Sequence, residues 1–385
     1  MQTPITSRSK LPDVGTTIFT VIGQLAAEHG ALNLSQGAPN FDCAPALLDA
    51  AVAAMRAGHN QYAPMTGLET LRRAIAAKCR RLHGADYDAD EEVTVVASAS
   101  QGLYAAISAL VHPGDEVIYF EPAFDSYAPI VRLQGALPVA IKLSPAGGFA
   151  VDWRQVAAAI TPRTRMIIVN TPHNPTATVF GAGDLQALAA LTRGTDIVVL
   201  SDEVYEHVVF DGATHQSVAR NAELAARSVI VSSFGKSYHV TGWRVGYCLA
   251  PANLTEQIRL VHQFMMYAAD TPMQYAFAEM LADAENYLGL SAFYQRKRDL
   301  LVTALAGSRF ELLPSAGSFF LLAKFRHFSR ESDSDFVLRL IRDFRVATIP
   351  LSAFYSDGTD HGVIRLSFSK DEATLLEGAR RLCAV

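Results

Sequence analysis

The sequence predicts an α/β protein with a large domain on a mostly parallel, doubly wound sheet and a smaller α+β domain. Two observations carry this. Short, nearly continuous apolar runs rich in β-branched residues alternate with longer helical stretches, as strands buried on both faces of a parallel sheet require. Beyond about residue 280 the alternation stops. A charged amphipathic helix, "SAFYQRKRDLLVTALAG", is followed there by the strand-like pieces "GSFFLLAKF" and "GVIRLSFS" and a closing helix, "DEATLLEGARRLC". The expected division is residues 45–280 for the large domain, and 1–44 with 281–385 for the small one.

In chain order the candidate strands are Val93–Val96, Glu116–Phe120, Met166–Val169, Ile197–Leu200 and Ser228–Val231. "QGLYAAISALV" and "GDLQALAALTR" are helical stretches between them. Ligands of an open α/β sheet bind beyond the carboxyl ends of its strands, so the residues that follow each run are candidates for a site. After the first comes "ASASQGLYAAI", small and hydroxyl residues opening a helix, a suitable cradle for a phosphate. The next four are followed by "EPAFDSY", "NTPHNPTAT", "SDEVYEH" and "SSFGKS". Each feature has a plainer reading: Ser100 as a helix cap, Phe124 as core, Asn174–Pro175 as a turn, Asp202 as a cap, Tyr205 as packing. Taken together, an anion cradle, an aromatic ring, an amide, an acid with a phenol, and Lys236 fit one chemistry: a phosphorylated aromatic cofactor held covalently by a lysine.

Bulk properties narrow the classes. The chain has 385 residues, 50% hydrophobic and 18% charged, with net charge −5, which gives ample core and no basic footprint for nucleic acid or an anionic membrane. "MQTPITSRSKLPDVG" lacks the apolar region of a signal peptide, and no apolar stretch is long enough to span a bilayer. Cys43, Cys79, Cys248 and Cys383 are scattered, without metal-site spacing, and read as reduced thiols of a cytoplasmic protein. "GKS" at 235–237 suggests a phosphate-binding P-loop, but that motif needs glycine at position 230, which is isoleucine.

With these motifs in order, "NTPHNPTA", "SDEVYEH", "SSFGKSYHVTGWRVGY" and "GVIRLSFSK", the chain resembles the class I pyridoxal-phosphate aminotransferases of fold type I along essentially its whole length. "KLPDVGTTIFTVIGQLA" and "NQYAPMTGLETLRRAI" resemble the methionine and kynurenine-aminotransferase-like branch. The resemblance implies pyridoxal 5'-phosphate as cofactor, bound to Lys236 as a Schiff base. It implies that Ser233, Arg244 and the helix start at Ala99, Ser100 and Gln101 hold its phosphate. Asp202 would pair with the ring nitrogen, and Tyr205 and Asn174 with the ring oxygen. Phe124 and Val204 would lie on the two ring faces. Arg365 would take the substrate carboxylate with the backbone of Gly37, and Phe19 with Ile18 would border the side-chain pocket. Tyr62 would reach the phosphate of a second subunit in a homodimer. The chain departs from the family's pattern at Ala38, Ser98, Ala177 and Asp270. Of these, Ala38 and Asp270 bear on the shape and polarity of the substrate pocket.

The implied activity is transfer of an amino group from an uncharged, largely apolar amino acid to a 2-oxo acid by a ping-pong mechanism. Carbon–sulfur β-elimination from cysteine conjugates is the alternative on the same fold. A dinucleotide-dependent dehydrogenase is disfavoured because no G-x-G-x-x-G follows the first strand. A ligand-sensing regulator module is disfavoured because no basic DNA-binding segment precedes the domain.

Overall fold

The computed structural model describes residues 7–385, so the first six residues of the expected small domain lie outside the described part. A seven-stranded sheet forms its centre. The spatial order is Val93–Val96, Gly246–Leu249, Ser228–Ser233, Val198–Asp202, Thr164–Asn170, Glu116–Glu121 and Leu137–Lys142. All neighbours are parallel except Gly246–Leu249, which is antiparallel to both of its partners. Alternate residues feed two apolar cores, one per face: Ile167, Val199 and Ile230 on one side, Ile168, Leu200 and Val229 on the other. Burial on both faces is why these runs read as unbroken apolar stretches.

All five expected strands are present, and four end later than their apolar runs suggested, two of them by two residues. Asp202 pairs with Asn170 and Val231, and Ser233 pairs with Gly246. The ladder therefore carries these polar residues to the strand tips, and Asp202 is a strand residue rather than a helix cap. Two strands of this seven-stranded sheet were not expected. Leu137–Lys142 contains Pro138, which its edge position tolerates. Gly246–Leu249 opens on a glycine, for a reason of space: a Cβ at Gly246 would lie 2.6 Å from the Ser232 carbonyl oxygen and 2.9 Å from the Ala99 nitrogen.

The C-terminal part carries a four-stranded antiparallel sheet ordered Ile349–Pro350, Val363–Ser367, Phe320–Lys324 and Glu311–Leu312. The N-terminal segment joins it: Leu32–Asn33 pairs in parallel with Val346–Ala347, and the Leu34 carbonyl accepts from the Ser367 amide at 2.8 Å. That link carries residues 35–38 to the mouth of the large sheet. No helix among the described residues is long and apolar enough to cross a membrane.

Candidate active site

A cavity of about 290 Å³ opens at the carboxyl ends of the parallel strands, walled on its far side by the N-terminal segment and the small sheet. The elements place opposite chemistry at its two ends. At one end the helix Ala99–Leu110 begins, capped by Ser98. The Gly246 close approach presses this helix start onto the sheet, with Ala99 and Ser100 lining the cavity. The Ser233 hydroxyl, which caps the short helix Phe234–Ser237, and the guanidinium of Arg244 face the same end. Arg244 is exposed, in a left-handed conformation (φ 54°), with one amino group on the Thr241 carbonyl at 3.0 Å. Backbone donors at a helix start, a hydroxyl and an arginine form an anion site.

At the other end lies the buried carboxylate of Asp202. Its Oδ2 accepts the Tyr127 phenol at 2.6 Å, and its Oδ1 faces the Val204 amide at 3.4 Å. Burial pushes Asp202 up to about 6, and the Tyr127 hydrogen bond counters it. Tyr127 was not foreseen, although it stands three residues after Phe124, which packs edge-on against it with ring centroids 5.7 Å apart.

Lys236 stands half-buried between these ends, its Nζ donating to the Gly37 carbonyl at 2.6 Å. Burial first, then the charges of Arg365, Arg244 and Lys370, bring it down to about 8, with Asp202 opposing. Lys370 was also unforeseen. It donates to the next carbonyl, that of Ala38, at 2.6 Å, and burial lowers it to about 8.

Arg365, at the centre of Val363–Ser367, is fully buried. One amino group donates to Asn174 Oδ1 at 2.7 Å and the other to the Ser35 carbonyl at 2.8 Å, while Nε has no partner. Its guanidinium lies 3.9 Å from the Phe320 ring centroid, 4.9 Å from that of Phe354 and 5.3 Å from that of Phe19. Among the described residues no carboxylate pairs with it within 4 Å, and burial lowers it to about 9. The Asn174 backbone N–H donates to Asn170 Oδ1 at 2.8 Å. Tyr205 is buried beside Phe319 and Phe320, and burial raises its phenol despite the opposing charge of Arg365. A Cβ at Gly37 would meet Phe320 at 2.8 Å, so the backbone there lies directly on the pocket wall.

Phe19, Gly37, Phe124, Asn174, Val204 and Tyr205 thus line one cavity with Lys236, Asp202 and Arg365. Three expected site residues, Ile18, Gln101 and Tyr62, do not. The Gln101 side chain is turned away: its Oε1 accepts the Ala97 amide at 3.1 Å and its Nε2 meets His262 Nδ1 at 3.0 Å. Only its backbone stays at the helix start. Tyr62 is 85% exposed, edge-on to Tyr267, outside the cavity of its own chain. Asp270 does not face the cavity either; it is an exposed cap that accepts the Met273 amide at 3.2 Å. Two of the other departures have a backbone signature: Ser98 (φ 88°) and Ala177 (φ 62°) occupy conformations that favour glycine.

The donor set fits pyridoxal phosphate: an anion cradle, a buried carboxylate for a protonated ring nitrogen, and a lysine with a lowered pKa between them. Comparison with known proteins agrees. The model of the family "Aminotransferase class I and II" matches residues 30–382. A methionine aminotransferase of Escherichia coli K12 is 50% identical over 380 residues, 98% of each chain. A probable N-succinyldiaminopimelate aminotransferase of Mycobacterium tuberculosis is 39% identical over 386 residues, 97% of each chain. The crystal structure of Escherichia coli YbdL, identified as a methionine aminotransferase, matches with TM-score 0.96 and 49% identity, covering 99% of this chain and 100% of that one. The chain belongs to the class I and II aminotransferases and is a pyridoxal-phosphate-dependent enzyme of fold type I.

Proposed function

We propose that this aminotransferase takes its amino group from an uncharged, largely apolar L-amino acid, methionine first and then aromatic amino acids and kynurenine, and passes it to a 2-oxo acid. The observation that carries this reading is Arg365, a fully buried guanidinium without a carboxylate partner among the described residues and with Nε free. A buried unpaired charge is costly, and the α-carboxylate of a substrate resolves it. The cations lining the cavity are Lys236, Arg244 and Arg365. With Arg244 at the anion cradle and Lys236 at the reacting carbon, no further cation among the described residues lines the cavity for a side-chain carboxylate. Phe19, Ala38 and Phe320 instead offer apolar surface. The likeness to methionine aminotransferases supports the same choice.

Each residue has a role in this reading. The helix start at Ala99 and Ser100, with Ser233 and Arg244, holds the cofactor phosphate. Asp202 keeps the ring nitrogen protonated, with Tyr127 fixing the carboxylate. Tyr205 and Asn174 bond the ring oxygen, and Phe124 and Val204 confine the ring. When bound, pyridoxal phosphate supplies a conjugated electron sink for the electrons left at the substrate α-carbon. Lys236, lowered to about 8, holds a free-base fraction near neutral pH and takes and returns the α-proton.

The active unit in this reading is a homodimer. Tyr62 packs edge-on against Tyr267, and both, with the sequence neighbours Phe264 and Met266 of the latter, are exposed in the single chain, a surface that a second copy covers while Tyr62 reaches the partner's phosphate. Residues 45–280 form the cofactor-binding part, and the remainder closes over the substrate. The direct test is a donor panel with one common 2-oxo acid acceptor. Methionine leading in kcat/KM supports the proposal; aspartate or glutamate leading rejects the apolar pocket and leaves the aminotransferase assignment intact.

A further inference from the structure

The segment "SDEVYEH" carries two sets of side chains. Asp202 and Tyr205 face the cavity, whereas Glu203 and Glu206, each one residue later, do not line it. Both are buried. Glu203 accepts from Ser201 Oγ at 2.8 Å and the Val218 amide at 3.1 Å, with His215 Nε2 2.8 Å from its other oxygen. Glu206 is the more connected. Its Oε1 alone accepts from Lys78 Nζ at 2.6 Å, the Tyr247 hydroxyl at 2.6 Å and Ser232 Oγ at 2.8 Å. Lys78 Nζ also donates to the Tyr247 oxygen at 2.6 Å. Burial works against the charge of Glu206, but Lys78 and its other neighbours hold its carboxyl well below the usual range.

The origin of these partners matters. Ser232 lies on the strand that leads into Lys236 and directly precedes Ser233. Tyr247 lies three residues after Arg244. Glu206 directly follows Tyr205 and lies four residues after Asp202. One carboxylate oxygen therefore ties together the strand ends bearing the lysine, the phosphate-side arginine and the ring-nitrogen acid, and Lys78 fastens them to the helix Glu69–His83. A buried ion pair is a poor way to gain stability compared with apolar packing, but it does fix a geometry.

We propose that Glu206, held by Lys78, Tyr247 and Ser232, is a positioning residue that sets Asp202 and Tyr205 relative to Lys236 and Arg244. The inference rests on the cofactor roles proposed above for those four residues. Small misplacement of catalytic groups by a distant change can cost about 10²-fold in rate, so the hub acts on turnover more than on binding.

The test uses the cofactor-loaded protein. Lys78→Met/Glu206→Gln removes both charges together and leaves neither uncompensated. Tyr247→Phe removes one bond of the hub and is the gentler variant. Read-outs are melting temperature, cofactor content, circular dichroism of the bound cofactor, and kcat separately from KM. We expect full cofactor content, an altered cofactor dichroism, kcat lower by about tenfold or more for the double variant and about threefold for Tyr247→Phe, and KM within about threefold of wild type. If the double variant does not fold, Tyr247→Phe decides by the same read-outs. Unchanged dichroism and kcat in a loaded, folded variant would overturn the inference while the wild type remains active. A wild-type protein that binds no cofactor would instead overturn the proposed roles and this inference with them.

Discussion

The Tyr127 phenol donates to Oδ2 of Asp202 at 2.6 Å, and both side chains are buried. Burial raises this carboxyl to about 6 even though the bond lowers its proton affinity. Asp202→Asn should fold and reduce turnover by roughly 10²–10³, the range for losing a preorganised electrostatic partner. Tyr127→Phe should raise Asp202 further, so the acid limb of the kcat/KM profile should move to higher pH. A loss below about tenfold for Asp202→Asn, or an unmoved acid limb for Tyr127→Phe, would contradict the assigned role.

Gly246 sets the anion cradle by letting the Ala99 backbone approach the sheet. In Gly246→Ala the new Cβ would meet two backbone atoms below 3.0 Å, and backbone cannot move aside cheaply. A stability loss of about 1–3 kcal/mol, with weaker cofactor binding, is expected from melting and cofactor titration. Unchanged values for both would show that the helix start can shift without consequence.

Arg365 is judged by separating binding from chemistry. Arg365→Met should raise KM for every amino donor while leaving cofactor content intact, because the shared carboxylate loses its anchor. In the wild type, methionine should exceed alanine by more than about tenfold in kcat/KM, since each buried methylene contributes about 0.8 kcal/mol. A KM change confined to one donor would mean that Arg365 contacts a side chain instead.

Subunit mixing tests Tyr62. A Tyr62→Phe chain exchanged with a Lys236→Ala chain gives a hybrid in which one site combines an intact lysine with the partner's intact tyrosine. Activity above both parents is the expected outcome; proven exchange without a gain places the action of Tyr62 within its own chain.

Much of the sheet and the cavity was legible because both depend on local sequence. Apolar runs mark strands buried on two faces, and the residues at their ends, among them Asp202 and Lys236, are read off by adjacency. What escaped depends on contacts between distant segments. Tyr127 gains its meaning from Asp202, 75 positions later, and Lys370 from Ala38, 332 positions earlier. The Gln101 side chain is claimed by His262, far along the chain. Gly246–Leu249 was missed because its glycine weakens strand propensity while serving a close backbone approach. Asp270 looked like a pocket residue until the helix it caps was in place.

The central claim is that Lys236 is the amine that holds the cofactor. A second lysine, Lys370, is brought to about 8 as well and donates to the adjacent carbonyl, so low pKa alone does not choose between them. Borohydride reduction of the loaded protein, followed by peptide mass mapping, fixes the cofactor to whichever lysine carries it. The account predicts the adduct on the peptide containing Lys236, with Lys370 unmodified. An adduct on Lys370, or none on Lys236, would contradict it.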